Sequence, residues 1–135
     1  MPLSVPIPRV RSERGQAIVE FAFVVPLLIV LVVGIVQVAT AYNHYLTVTD
    51  AARVGARDAA VGRFSGETQA EVDQSVVDAA GDLDPSQLQV DAENPNWNVS
   101  GSNVTVTVEY PYSIDIMGVV VASGMLTSAI TERVE

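Results

Sequence analysis

The residues able to take part in chemistry lie near the start of the chain. Arg9, Arg11, Arg14 and Gly15 run directly into an apolar stretch in which Glu20 is the only acidic or basic residue before Asp50, His44 counted as neutral. Two kinds of chemistry suit that arrangement. One is cleavage of the chain itself. Gly15 has no Cβ, so a protease can approach its backbone closely. The polar, Pro-containing run MPLSVPIPRVRSERG is not obviously helical, which leaves the bond accessible at the edge of the apolar stretch. The other is ion pairing in an apolar medium. An acidic side chain at the centre of a bilayer costs about 2.5–3.5 kcal/mol and less near the surface, so Glu20 calls for a partner.

The element that positions these residues is the apolar stretch. Residues 21–36 are all apolar, Gly or Pro. A hydrocarbon core of about 30 Å needs roughly 20 helical residues, and residues 17–41 supply them. The stretch therefore predicts a single membrane-spanning helix. Arg9, Arg11 and Arg14 precede it and Asp50 is the first charge after it, so the basic flank stays on the cytoplasmic side and everything beyond about Tyr42 lies outside. Pro26 removes one backbone hydrogen bond within the helix and is the expected site of a kink.

Charge divides the chain in the same way. All sixteen acidic residues except Glu13 and Glu20 lie beyond Glu20, against Arg53, Arg57, Arg63 and Arg133, so the formal charge of −9 belongs to the outer part. Such a surface repels nucleic acid. The absence of Cys excludes disulfides, thiolate metal sites and a thiol nucleophile.

The run RGQAIVEFAFVVPLL, residues 14–28, is similar to the N-terminus of TadE-like proteins, the pseudopilin-like components of tight-adherence pilus assembly, and more broadly to a type IV prepilin leader. The likeness continues through DAARVGARDAAV, residues 50–61, and into VTVTVEYPY, residues 104–112, about half the chain. The resemblance implies a non-enzymatic minor structural or assembly subunit in the inner membrane. It implies cleavage by a prepilin peptidase between Gly15 and Gln16, with Glu20 then the fifth residue and the pair Glu20-Phe21 used in assembly. The free amine of Gln16 on a neighbouring subunit is the partner it implies for Glu20. Reaching back to headgroups or to Arg14 is the other partner open to that carboxylate. The implied partners are the membrane, the peptidase and other pilin or pseudopilin subunits, with no cofactor, nucleic acid or small-molecule substrate.

Beyond the span, the helical period continues through Tyr42, Tyr45, Leu46, Thr49, Ala52, Ala56 and Ala59 to about Val61, ending near Gly62. Tyr42 and Tyr45 suit an aromatic belt at the outer interface. Two ladders of small residues, Ala51/Gly55/Ala59 and Ala52/Ala56/Ala60, allow close approach either of another subunit or of the chain's own domain. Arg53 and Arg57, one turn apart, form a solvated stripe with Asp50 and Asp58 beside them.

A second helix is predicted over residues 67–80, with Thr68 and Glu71 as a capping box. Alternation at Leu88 and Val90, at Val104, Val106, Val108 and Tyr110, and over residues 126–134 predicts strands with one wet face, with a further short strand around Trp97. Residues 100–103 read as a turn. Residues 112–124 read as a connection unusually apolar for an exposed loop, with a buried segment and a contact patch both open as explanations. The expected fold is α+β: a long N-terminal transmembrane helix continuing into a small outer domain with a second helix and a three- or four-stranded antiparallel sheet. Its divisions are a leader (residues 1–15), a span (16–41) and the outer domain (42–135), with Trp97, Tyr110, Val106 and Ile130 as core candidates.

Catalysis finds little support. His44 is the only histidine and reads as a surface or interfacial residue, without Ser or Asp at a triad-like spacing. Asp82, Asp84 and Asp91 lack the spacing of a calcium loop. Asn98-Val99-Ser100 and Asn103-Val104-Thr105 match the glycosylation triplet, a common chance match.

Two other readings stay open. Ala39-Thr40-Ala41 fits a signal-peptidase site, and a cut there would release a soluble acidic binding module starting at Tyr42. The apolar stretch is longer than the usual 7–15-residue signal core, however, and that reading leaves Glu20 and Pro26 without a role. An uncleaved single-span protein with an outer interaction domain is the third.

Overall fold

The structure is a computed structural model that describes residues 13–66, 68–92 and 99–135. The chain divides at Val33 and Gly34 into two compact units. Helix α1 is described over Glu13–Ser65 and contains Pro26 without a break in the helix. Its hydroxylated residues are compatible with helix because they bond back to it: Thr40, Thr47 and Thr49 donate to the carbonyls of Val36, Asn43 and Tyr45 at 2.9–3.2 Å. The helix continues past Gly62 and ends one turn later. Gly66, in the left-handed region (φ 74°), donates its N–H to the Gly62 carbonyl at 2.8 Å.

In the unit up to Val33, the apolar side chains point outward. Phe23 is 79% exposed, and Ile18, Phe21 and Leu27 are close to it in exposure. This is the pattern of a helix that meets lipid or other helices instead of a core. Among the described residues, one helix is long and apolar enough to cross a membrane, Gly15–Gly62, and none of its most apolar window is buried within the chain.

The unit from Gly34 to Glu135 is α+β, as expected. Helix α2 (Gln69–Ala79) opens at Thr68, whose N–H donates to Glu71 Oε2 at 2.6 Å, and buries Val72 and Val76. It starts two residues later than the sequence pattern suggests. Three antiparallel strands follow in the order β1 (Gln89–Asp91), β2 (Asn103–Ile116) and β3 (Val119–Arg133).

The connection expected over residues 112–124 is instead the distal half of a long β2–β3 hairpin, with Ile116 opposite Val119. Met117 (φ 54°) and Gly118 (φ 85°) close it with two positive-φ residues, the signature of a type I′ turn. A register shift between Ile114 and Asp115 breaks the two-residue period there. Trp97 and its expected strand lie outside the described residues.

One core holds this unit together. Val48, Ala51, Ala52, Ala56 and Ala59 of α1, Val72 and Val76 of α2, and Val104, Val106, Val108 and Tyr110 of β2 bury against one another, with Ile130 packed at the margin. Both small-residue ladders therefore face the chain's own domain. Gly55 is their tightest point: a Cβ there would collide with Val76 Cγ2 and stand 3.3 Å from Val106 Cγ1.

Candidate functional site

Gly15, Gln16, Glu20, Phe21 and Pro26 all lie within α1, which covers the described residues from Glu13 onward. Gly15 therefore sits inside the helix instead of ahead of it. Arg9 and Arg11 lie outside the described residues.

Glu20 is exposed and stands one turn beyond Gln16, whose side-chain amide donates to Glu20 Oε1 at 3.1 Å. That bond is neutral to charged. An ammonium in the same place would add the attraction of opposite charges to the hydrogen bond. Phe21, next to Glu20, is 68% exposed, and Pro26 is exposed as well.

The other polar residues singled out by the sequence are occupied structurally. His44 is half-buried, its ring edge-on to Tyr110 with centroids 5.7 Å apart. The Asp84 carboxylate accepts from Ser86 N–H at 3.0 Å, Ser86 Oγ at 2.7 Å and Gln87 Nε2 at 3.2 Å. Those bonds, led by the Ser86 hydroxyl, hold Asp84 below the usual carboxylate range. They close an Asx-type turn around Pro85. Among the described residues no group of three or more His, Cys, Asp or Glu could hold a metal ion. Arg53 pairs with Asp50 at 2.9 Å with both side chains largely exposed, as the solvated-stripe reading anticipates.

Two features were not visible in sequence. Asp73 has a buried Oδ1 with no hydrogen-bond partner, and burial, with Asp91 second, raises its pKa. Gln37, inside the apolar stretch, donates its amide to the carbonyl of Asp115 at 2.9 Å, seventy-eight residues away. A lone polar residue at the end of an apolar run was the only signal for that bond.

No curated protein and no solved structure matches the chain. The family comparison matches at the segment that carries the motif. It starts at Gly15 and stops at Arg57, short of the β2 residues to which the sequence likeness extended. Over residues 15–57 the chain matches the family model described as TadE-like protein.

Proposed function

We propose that this chain is a minor pseudopilin-like structural subunit of a tight-adherence pilus assembly or a related secretion system, anchored by α1 and cut by a prepilin peptidase between Gly15 and Gln16. The observation that carries this is positional. The TadE-like match begins at Gly15 and runs along the one described helix able to cross a membrane. A Tad pilus assembly role is what that family suggests, and the finer steps follow from the chemistry of the segment.

Cleavage after Gly15 leaves an ammonium on Gln16 and makes Glu20 the fifth residue of the product. Within one chain, Glu20 holds only the neutral amide of the Gln16 side chain among the contacts described. In a low-dielectric environment, a neighbouring subunit's terminal ammonium neutralises the carboxylate and fixes the stagger between adjacent helices. The basic flank of Arg9, Arg11 and Arg14 keeps the leader on the cytoplasmic side, where a prepilin peptidase meets it, and leaves the domain outside. The protein acts by assembly and not by turnover.

Release by a cut after Ala41 fits less well. The cut would separate Gln37 from Asp115.

The test is mass spectrometry of the N-terminal peptide of protein isolated from native membranes. A start at Gln16 supports the proposal. A start at Tyr42 would replace it with a secreted module, and an intact Met1 with a plain anchor.

A further inference from the structure

We propose that the end of the β2–β3 hairpin, residues 114–121, dips into the outer interfacial layer of the same membrane that α1 spans, giving the domain a second, shallow lipid contact. This rests on the reading of α1 as a membrane span.

Three independent observations lead there. The first is position along α1. Counted from Ala17, about twenty residues cross the hydrocarbon core, so Gln37, the first polar residue after them, marks its outer boundary. The hairpin is tied to α1 at that level. Gln37 donates to the Asp115 carbonyl at 2.9 Å, and a Cβ on Gly34 would meet Ile116 Cδ1 at 3.8 Å.

The second is the surface that the tip presents. Met117 is 80% exposed, and Val119, Val120 and Val121 are 63%, 59% and 56% exposed. Between Glu109 and Glu132 the only charged residue is Asp115. Its carboxylate is turned to local use, accepting the Gly118 N–H at 2.9 Å. A run of exposed valines at a hairpin tip is costly in water and favourable at a lipid interface.

The third is the turn itself. A type I′ turn favours Asn, Asp or Gly at its first central position, where φ is positive. This chain places Met there, accepting backbone strain to hold a large apolar side chain at the apex.

The same geometry limits the depth. β3 is an edge strand, and β2 is covered by β1 only at residues 107–109. Unpaired edge groups are not tolerated in hydrocarbon, so the tip rests among headgroups and the uppermost acyl carbons and goes no deeper. Lipid is favoured over a second copy as the occupant because the tip contacts Gly34 and Gln37, which stand in sequence at the outer end of the apolar stretch.

The chain has no native Cys, so single sites can be labelled in the full-length protein. Val120→Cys, Val32→Cys and Ser100→Cys, each carrying an NBD fluorophore, are reconstituted in phosphatidylcholine–phosphatidylglycerol vesicles. Nitroxides on the headgroup or on the mid-acyl chain, and iodide in the water, serve as quenchers. The expected result is a blue-shifted label at Val120 that loses most of its emission to the headgroup nitroxide. The Val32 label should respond to the acyl-chain nitroxide and the Ser100 label to iodide alone. If Val32 responds as expected while Val120 behaves like Ser100, the hairpin contact is wrong and the span stands. A Val120 label shielded from both nitroxide and iodide would mean a protein partner and overturns the lipid assignment. A Val32 label insensitive to both nitroxides removes the span, and the hairpin contact with it.

Discussion

Gly55 faces Val76 with no room for a side chain between them, since an added Cβ would collide with Val76 Cγ2 while Val72 Cγ1 stands 3.8 Å away. The contact joins α1 to α2 over β2, so the two helices approach as closely as the backbone of one allows. Gly55→Ala gains about 1 kcal/mol of helix propensity. Overpacking at a site this tight costs about 1–3 kcal/mol. The net effect expected is destabilisation, larger for Gly55→Val. It is read as a lower urea midpoint in detergent with an unchanged slope. A rise in the midpoint for Gly55→Val would show that the interhelical contact is looser than this.

Thr68 and Glu71 start α2 as a unit, with Thr68 N–H and Oγ1 both donating to Glu71 Oε2, at 2.6 and 3.0 Å. The bond from the Thr68 backbone, followed by that from its hydroxyl, lowers the pKa of Glu71. A lowered acid pKa contributes stability above the ordinary value of 4.5 and loses it as pH falls through the folded-state value. Thr68→Ala is expected to cost about 1 kcal/mol. Glu71→Gln should flatten the acid side of the stability profile between pH 4.5 and the lowered folded value. Thermal melts at stepped pH would show both, and a profile that Glu71→Gln leaves unchanged would count against the cap.

Asp73 has the opposite sign. Its pKa is raised by burial first and by the charge of Asp91 second, and its Oδ1 lacks a partner. The folded chain therefore holds that proton more tightly than the unfolded chain. The resulting stability is fully present below the ordinary value of 3.8 and is lost as pH rises through the raised folded value. Because the side chain is only partly buried, solvent screening leaves a few tenths of a kcal/mol at neutral pH. Asp73→Asn should raise the melting temperature slightly at pH 7 and have no effect near pH 3. A drop at pH 7 would mean that the charged carboxylate makes a favourable contact.

Some of this was legible in the residues themselves. The apolar run through Val36, the helical period through Ala59, the Thr68–Glu71 pair and the alternation of Val104, Val106 and Val108 each follow one periodicity without interruption. Each became the expected element. The small-residue ladders fit a subunit contact as well as an internal one, and only Val72, Val76 and Val106 lying against them decides between the two. The hairpin tip was misread because the register shift at Ile114 and Asp115 breaks the alternation and three valines in a row restore none. Met117 also conceals a turn that Asn would have announced. The motif from Gly15 to Phe21 was plain in sequence because it depends on residue order. The bond from Gln37 to Asp115 depends on tertiary approach and could not be read there.

Glu20 offers the sharpest separation of processing from assembly. Its carboxylate stands one turn beyond Gln16 and touches only a neutral amide of its own chain among the described contacts. If a neighbouring subunit's terminal ammonium replaces that amide, Glu20→Gln leaves a buried cation without its counter-charge. Breaking one partner of such a pair costs about 3 kcal/mol or more. That corresponds to a factor on the order of 100 in association. Cleavage does not use the carboxylate, so the variant should still begin at Gln16 by mass spectrometry. It should also fall out of the assembled complex in crosslinking and co-purification with its pilus partners. Wild-type recovery of Glu20→Gln in that complex would rule out the pairing. A variant that keeps Gly15 uncut would instead place Glu20 in peptidase recognition.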